Sequence, residues 1–404
     1  MRARILAMVV GGVSALTATL VACASDEDAV LANPDGGNSA LPGGDGGADA
    51  LAEDAQGELS DTCLPDSLCP NGPFDPNMPG GPLDSRTRIH FIVGRSATDV
   101  WAAGANGTMA HFDGTSWTRS DVGTIETMHA LWLREKDEIA LASLGSIYTR
   151  GLATKGDASA PSAGGWTASG APTSLQAGND YSSLNVTSSW IAPGAEWLWL
   201  TSQQAHLKSS PPLNGLWRLR VNSVTRALEL GAALPERLCA ARPCGHMTSI
   251  HGASADDLWA VGYTGAAFHI TNAQSDTPAI TQFESRTWAS LNGVWVASAN
   301  DAWAVGGAGT IRHYTGHSYA WDVVADVPTK NHLNAVWGSS ATDIWAVGEG
   351  AVVLHYDGKA WSTVEVRGLG DRRPDLRTVW TPAPGHVWVG GDGVILSLGG
   401  KGKP

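Results

Sequence analysis

A repeat of about 43 residues constrains the fold of this chain more than any other feature of its sequence. One copy runs from Leu333 to Trp361 and contains Leu-Asn-Ala-Val-Trp-Gly-Ser-Ser, then Asp-Ile-Trp-Ala-Val-Gly, then His-Tyr-Asp-Gly. The central tryptophan marks five clear copies, and two degenerate copies around Trp132 and Trp199 fill the interval between the first two. The markers of the clear copies are Trp101, Trp259, Trp303, Trp345 and Trp388.

Each copy consists of short runs with a two-residue period, rich in Val, Ile, Trp and Tyr, separated by Gly, Ser, Asp and Asn. Such runs predict strands joined by tight turns, and the period excludes a helical bundle. Four strands in about 43 residues is the size of a propeller blade. The sequence therefore predicts an all-β fold: a single β-propeller of about seven four-stranded blades over residues 86–404.

Recurring histidines and aspartates mark the same place in several copies. The histidines could be read as a metal site, but equivalent positions in four blades point in four directions and cannot converge on one ion. We expect structural roles for the histidines, and we expect the aspartates to accept N–H groups within turns. These residues are His111, His269, His313 and His355, with Asp99, Asp257, Asp301 and Asp343.

The last copy ends after its third strand, at Leu398, and only six residues follow. A ring of blades needs its final blade completed. We therefore expect part of the segment from Cys63 to Asp84 to pack against the seventh blade and close the ring.

The Ser-x-x-Asp-x-Trp-Ala-Val-Gly and His-Tyr-Asp-Gly-x-x-Trp frame resembles the Trp- and Gly-rich propeller repeats of exported bacterial lipoproteins. It is more distantly similar to the BNR/Asp-box repeats of sialidases and to photosystem-assembly-factor-type propellers. The Asp-box motif and the arginine triad of sialidases are not found in the sequence. The resemblance thus implies a propeller but gives no ground for assigning hydrolysis.

The N-terminus has the layout of a secretory signal. Arg2 and Arg4 precede an apolar stretch that ends in Leu-Val-Ala-Cys23, which resembles a lipobox. We therefore predict a lipoprotein signal peptide at 1–22 and a lipid anchor on Cys23. The alternative is an ordinary cleaved signal that happens to contain a cysteine. The predicted location is the cell envelope, at the outer membrane or cell surface, with the propeller facing the periplasm or the exterior.

The acidic charge of the chain lies in residues 23–85, which hold thirteen Asp or Glu and no Lys or Arg. Their Gly-, Asp- and Pro-rich composition predicts a disordered tether. Residues 86–404 have a formal charge close to zero, with no basic stripe, so nucleic acid is not an expected partner.

Four further cysteines form two close pairs, Cys63 with Cys69 and Cys239 with Cys244. In an oxidising compartment each pair would form a local disulfide. The alternative is two reduced pairs without a role. Neither pair has zinc-ligand spacing, and no metal or other cofactor is expected.

Candidate binding residues lie in the connections that enter the inner strands, because these connections converge at one mouth of the channel. They form a mixed-charge rim suited to a polar partner, although any one of them can equally be a solvated loop residue. The candidates are Arg88, Glu126, Tyr181, His246, Lys330, His332, Arg373 and Asp375.

Three functions remain open. The first is a non-enzymatic binding or scaffold module that holds a protein or glycan at the envelope. The second is a polysaccharide hydrolase or lyase, for which Glu126 and Asp375 are the only rim carboxylates to nominate. The third is an assembly factor for a membrane complex, suggested only by the distant resemblance. No nucleophile–base pair is evident, so an enzyme is the less favoured interpretation.

Overall fold

Seven antiparallel sheets follow one another along the chain and form the blades of a seven-bladed β-propeller, as the repeat predicts. The computed structural model describes residues 62–74, 82–152, 160–174, 184–204, 214–234, 245–317 and 319–400. In these residues no helix is both long and apolar enough to cross a membrane. Cys23, Tyr181 and the Cys239–Cys244 pair lie outside them, so their predicted roles stay predictions.

The strands have the same order in every blade, from the channel outward. The inner strands are β2 (Ile89–Ser96), β6 (Ala130–Leu133), β11 (Leu184–Trp190), β15 (Met247–Ser254), β19 (Leu291–Ser298), β23 (Leu333–Ser340) and β27 (Leu376–Ala383). The second strands are β3 (Asp99–Gly104), β7 (Glu138–Leu141), β12 (Leu198–Gln204), β16 (Asp257–Gly262), β20 (Asp301–Gly306), β24 (Asp343–Gly348) and β28 (His386–Gly391).

The outer half of each blade is shorter. The third strands are β4 (Met109–Phe112), β8 (Ile147–Arg150), β13 (Leu216–Val221), β17 (Ala267–Thr271), β21 (Thr310–Tyr314), β25 (Val353–Tyr356) and β29 (Val394–Leu398). The outer strands are β5 (Trp117–Arg119), β9 (Thr167–Ser169), β14 (Leu228–Ala232), β18 (Ala279–Gln282), β22 (Asp322–Val323), β26 (Trp361–Thr363) and β1 (Leu68–Pro70). Blade 3 has a fifth strand, β10 (Thr173–Ser174), which pairs in parallel with β14.

Two faces of the ring follow from this alternation of strand direction. We call the face with the connections from an outer strand to the next inner strand the entry face. The opposite face carries the turns between inner and second strands, and we call it the turn face. Three single 3₁₀ turns, Tyr263–Gly265, Gly307–Gly309 and Glu349–Ala351, join second to third strands on the entry face.

The ring is closed by a strand from the N-terminal side of the propeller. β1 pairs with β29 and completes the seventh blade, which confirms the expected closure by the segment Cys63 to Asp84. A disulfide joins Cys63 to Cys69, as predicted. The predicted boundary at residue 86 is corrected, because Leu68 is fully buried in the blade and so belongs to the propeller rather than to a tether.

The recurring histidines and aspartates pair with each other within their own blades. The Nε2 atom of the histidine lies 2.8 Å from the aspartate Oδ1 in His111–Asp99, His313–Asp301 and His355–Asp343, and 3.1 Å in His269–Asp257. The expected structural role is thus confirmed. The four aspartates are therefore hydrogen-bonded to histidines and not, as expected, to turn N–H groups. At the neighbouring turns, the hydroxyl groups of Ser96 and Ser340 accept the turn N–H groups instead.

Each of these histidines also stacks on the marker tryptophan of its blade. The ring centroids of His313 and Trp303 are 3.8 Å apart, with an angle of 16° between the rings. Trp361, from the outer strand of the next blade, packs edge-on against Trp303 at 5.6 Å. The repeated motif therefore joins adjacent blades through their aromatic side chains.

Candidate functional site

A cavity of about 1170 Å³ occupies the central channel and is lined by inner-strand residues from all seven blades. Its volume is that of a site for a small molecule or a short chain segment. The cavity extends into the turns of blades 2 and 3 on the turn face, whereas of the described residues in the entry-face connections only His129, directly before β6, lines it.

One position of the repeat, the Asn of Leu-Asn-x-Val-Trp or its equivalent, faces this cavity near its entry-face end in every blade. In four blades that residue is Asn or Thr, and its side chain donates a hydrogen bond to a backbone carbonyl of the next inner strand. These bonds run from Thr187 to Met247, from Thr248 to Leu291, from Asn292 to Leu333 and from Asn334 to Leu376. The repeated residue at this position therefore joins one blade to the next.

Three consecutive blades depart from this pattern. The equivalent residues are Arg377 in blade 7, His90 in blade 1 and His129 in blade 2. All three line the cavity, and none of the described hydrogen bonds joins their side chains to the next inner strand. Among the described residues, these three side chains therefore do not form the inter-blade hydrogen bond that their counterparts form.

Arg377 is the centre of an ion-pair network at this end of the channel. Its Nε and Nη2 atoms lie 2.5 and 3.0 Å from the two carboxylate oxygens of Asp392, a bidentate geometry. Asp375 lies 3.8 Å from the same guanidinium, and Arg88 lies 3.8 Å from Asp392. Arg377 lowers the pKa of Asp392, and Asp392 raises the pKa of Arg377, so both remain charged.

His90 and His129 lie side by side next to this network, with 5.1 Å between their ring centroids. Burial lowers the pKa of both imidazoles, and His129, Arg377 and Arg88 lower that of His90 further, to about 4. Both rings are therefore neutral near pH 7, and each presents one donor and one acceptor nitrogen. Together with Arg377 they form a polar surface that can hydrogen-bond an entering group.

The structure places every described rim candidate in a connection on the entry face. Arg88 and Asp375 belong to the Arg377 network, whereas Glu126 accepts a hydrogen bond from Tyr148 and His246 stacks on Tyr263 at 5.3 Å. Arg373 donates to the backbone carbonyls of Gly370 and Arg372. Lys330 and His332 lie exposed in the connection before β23. The rim candidates do not form one group.

The sequence reasoning missed Arg377, Asp392, His90 and His129. A signal for Arg377, His90 and His129 was present, because Leu-Arg-Thr-Val-Trp, Ile-His-Phe-Ile-Val and Met-His-Ala-Leu-Trp replace the Leu-Asn-x-Val-Trp of blades 5 and 6. Function is expected where the repeat breaks, and that criterion applies to the inner strands as well as to the loops. Asp392 gave no such signal, since its contact with Arg377 depends on the folded backbone.

The turn-face end of the channel is aromatic. The Trp of Leu-Asn-x-Val-Trp is present in the inner strands of five blades and is replaced by His251 in blade 4 and Val93 in blade 1. Trp380 and Trp190 lie over Gly94 and Gly252 of the next blade, where a Cβ atom would be 2.8 and 2.7 Å from the indole. Most of these tryptophans therefore pack blade against blade. In the described residues, no three His, Cys, Asp or Glu side chains form a metal-ligand group.

No protein-family model matches the chain, and no curated protein resembles it in sequence. Solved structures do resemble it. YCF48 from Cyanidioschyzon merolae superposes with a TM-score of 0.56 at 14% identity, over 78% of this chain and 97% of that one. YCF48 bound to D1 peptide gives 0.56 at 13% identity, over 78% and 93%. Virginiamycin B lyase from Staphylococcus aureus also gives 0.56 at 13% identity, over 78% and 94%.

What the chain shares with these proteins is the propeller. Identities of 13–14% establish the fold alone, because propellers carry unrelated activities. The distant similarity to propellers of the assembly-factor type, expected from the repeat, is confirmed at this level.

Proposed function

We propose that this propeller is a non-enzymatic binding module that holds a segment of a protein or a glycan at the cell envelope. The proposed site is the entry-face end of the channel, formed by Arg377, His90 and His129 with Asp392 and Arg88. A lipid on Cys23 would attach the module to the membrane through the acidic segment that precedes the propeller.

The release of three adjacent side chains from inter-blade bonding carries this proposal. Asn or Thr at the equivalent position of the repeat joins the blades of the opposite side of the ring. Arg and His at the same position form no such bond in the described residues, and they face a cavity large enough for a ligand. A pair of neutral imidazoles beside a guanidinium that is fixed by Asp392 supplies hydrogen-bond donors and acceptors for a polar ligand.

Two of the similar structures support a peptide-sized occupant. One is YCF48 bound to D1 peptide, and another is an inactive variant of virginiamycin B lyase with quinupristin, at a TM-score of 0.52 and 12% identity. The cavity of this chain, about 1170 Å³, is large enough for a short peptide or oligosaccharide.

A variant that restores the repeat tests the proposal. Arg377→Asn introduces the residue that blades 5 and 6 have at this position, so the fold should be retained while the Arg377–Asp392 network is lost. Residues 24–404 of the wild type and of the variant would be used to capture partners from an envelope extract and on a glycan array. The control is Arg119→Asn, which removes an exposed arginine from β5.

Capture of the same partner by the wild type and the control, but not by Arg377→Asn, would support the site. Equal capture by all three proteins would refute the proposed location of the binding site. A wild type that captures no protein or glycan would refute the binding function itself.

A lyase or hydrolase is the second candidate, favoured by one observation. His90 and His129 are held neutral by burial, and a neutral imidazole is the form that acts as a general base. Glu126 and Asp375, the carboxylates nominated from the sequence, are bound to Tyr148 and to Gly350 N–H respectively. Turnover of an envelope polysaccharide that is abolished by His90→Asn but not by Arg119→Asn would favour this function over binding.

A further inference from the structure

The cavity widens on the turn face between blades 2 and 3, where the chain departs from its repeat. In five blades two residues join the inner strand to the second strand. The joining segments are residues 134–137 in blade 2 and 191–197 in blade 3. We call the part of the cavity that is lined by Arg134, Asp137, Arg226, Trp132 and Trp190 the turn-face groove.

Two guanidinium groups share one buried carboxylate in this groove. The Nη1 atom of Arg134 lies 2.9 and 3.2 Å from the oxygens of Asp137, and the Nη2 atom of Arg226 lies 3.3 Å from Oδ2. The side chain of Asp137 is 7% exposed, whereas those of Arg134 and Arg226 are 27% and 42% exposed. Two guanidinium groups and one carboxylate have a net charge of +1, and both arginine side chains are more exposed than the carboxylate.

The position of Arg134 is fixed by its surroundings. Its guanidinium lies 5.1 Å from the centroid of the Trp132 ring, and its backbone carbonyl accepts a hydrogen bond of 2.9 Å from Arg95. Its backbone N–H donates to the carbonyl of Asp137 within the turn. Arg226 has a φ of 63°, an uncommon value for a residue with a side chain, and from there it reaches blade 2. Both guanidinium groups are therefore held in place before any ligand arrives.

Charge and surface together indicate the class of ligand. Apart from Arg377 at the other end, the cavity lining contains four Arg or Lys against three Asp or Glu, in a propeller whose residues 86–404 are close to neutral. The groove also has a partly exposed indole, Trp190, and apolar Val221. A ligand that fits has an anionic group for the arginines and a ring with an apolar face for the indole.

We propose that the turn-face groove binds an acidic sugar residue, with its carboxylate between Arg134 and Arg226 and its ring against Trp190. This site is separate from the Arg377 end of the channel, and the inference does not depend on binding there. The guanidinium N–H groups that do not face Asp137 would donate to the sugar carboxylate, as in bidentate arginine–carboxylate pairs.

A purely structural role is the competing explanation, because Arg226 and Asp137 also join blade 3 to blade 2. The two explanations predict different results for Asp137→Asn, which keeps the shape of the side chain and removes its charge. If the ion pairs only join the blades, the variant loses stability and binds nothing. If the groove binds an anion, the variant frees both arginines from an internal competitor, and affinity for the acidic sugar rises several-fold.

The experiment is calorimetric titration of residues 24–404 with three probes at millimolar concentration. Glucuronate has both the ring and the carboxylate, glucose has the ring alone, and acetate has the carboxylate alone. We expect measurable binding of glucuronate, and binding at least about tenfold weaker for the other two, since each lacks one of the two contacts.

Four variants complete the test. Arg226→Gln should weaken glucuronate binding by about tenfold or more, because one charged donor is lost, and the fold should be retained because the Arg226 side chain is 42% exposed. Arg286→Gln, an exposed ion-paired arginine elsewhere, should bind as the wild type does. Asp137→Asn should bind more tightly. Arg377→Asn should leave this binding unchanged, which separates the groove from the proposed entry-face site.

Absence of glucuronate binding would overturn the inference, and so would equal affinities for glucuronate and glucose. Acetate that binds as tightly as glucuronate would reduce the groove to a simple anion site and would overturn the assignment of a sugar. Unchanged binding in Arg226→Gln would place any glucuronate site elsewhere.

Discussion

Leu68 lies opposite Leu398 in an antiparallel strand pair, although 330 positions separate the two residues in sequence. Leu68 is fully buried among Trp345, Val389 and Leu396 of the last two blades. The pair joins the N-terminal and C-terminal ends of the propeller within a single sheet. Neither end of the ring can therefore separate without breaking β1 from β29 and exposing this apolar cluster.

We expect Leu68→Ala to lower the free energy of unfolding by about 2–5 kcal/mol, the usual cost of removing a fully buried leucine side chain. Leu64→Ala is the matched control, because Leu64 lies four residues away with 39% of its surface exposed. That variant should stay within about 0.5 kcal/mol of the wild type. Urea unfolding followed by tryptophan fluorescence measures both. Equal effects of the two substitutions would show that β1 does not close the ring.

Acid stability should depend on Asp343, a half-buried carboxylate that pairs with His355. Burial acts to raise the pKa of Asp343, but hydrogen bonds from Ser339, His355 and Trp345 outweigh it and hold the pKa below 3.8. A carboxyl whose pKa is lower in the folded protein stabilises it above the ordinary pKa. That stabilisation is lost as the pH falls below about 4 and through the folded value.

We therefore expect Asp343→Asn to be less stable than the wild type at pH 7 and to lose less stability between pH 4 and pH 2. Asp326→Asn, in an exposed connection, should follow the wild-type pH profile. Thermal unfolding at several pH values gives the comparison. A parallel acid profile for Asp343→Asn would mean that the hydrogen bonds at this carboxylate contribute nothing to stability.

His251 predicts a second pH dependence, at higher pH. Burial lowers its pKa to about 3, and its Nδ1 atom accepts the N–H of Val296 at 3.1 Å. The unfolded chain binds a proton near pH 6.5 and the folded protein does not, so stability is complete above that pH and falls below it. The expected loss from this residue is about 2 kcal/mol between pH 7 and pH 5.

His251→Gln, which retains an acceptor, should remove that part of the loss. His317→Gln, at an exposed histidine, should not. Urea unfolding at pH 7 and at pH 5 distinguishes them. If the His251 variant loses as much stability between the two pH values as the wild type does, the imidazole is protonated in the folded protein as well.

The fold could be predicted because the same residues recur at the same positions in most blades. A marker tryptophan such as Trp303 identifies the second strand, and His313 ten residues later identifies the third, since each has the same contacts in its own blade. Periodicity thus reported both the strands and their order. The repeat also indicated that the last blade was incomplete, because its final copy has sequence for three strands where the other copies have sequence for four.

The candidate site could be predicted less well, because its residues come together only in three dimensions. The connections of the entry face were correctly assigned, but their side chains lie over different blades, as Glu126 and His246 show by pairing with Tyr148 and Tyr263. Arg377 can be recognised as a candidate binding residue only when it is known that Asn334, at the equivalent position, donates a hydrogen bond to the next inner strand. A sequence shows the substitution at this position, but not the bond that it replaces.

The inter-blade hydrogen bond of Asn334 gives the last prediction. Its Nδ2 atom donates to the carbonyl of Leu376 at 2.8 Å, in the half-buried wall of the channel. Asn334→Ala should lower the free energy of unfolding by about 1 kcal/mol, the usual net value of such a bond, while Asn185→Ala, at an exposed inner-strand position, should not. Arg377→Asn should lose less stability than Asn334→Ala, because the hydrogen bond that it introduces between blades 7 and 1 offsets the loss of the ion pair with Asp392. Chemical unfolding of the three variants measures these changes in the free energy of unfolding.

A stability loss in Arg377→Asn larger than that in Asn334→Ala would show that Arg377 holds the ring together. Arg377 could then no longer be regarded as free to bind a ligand.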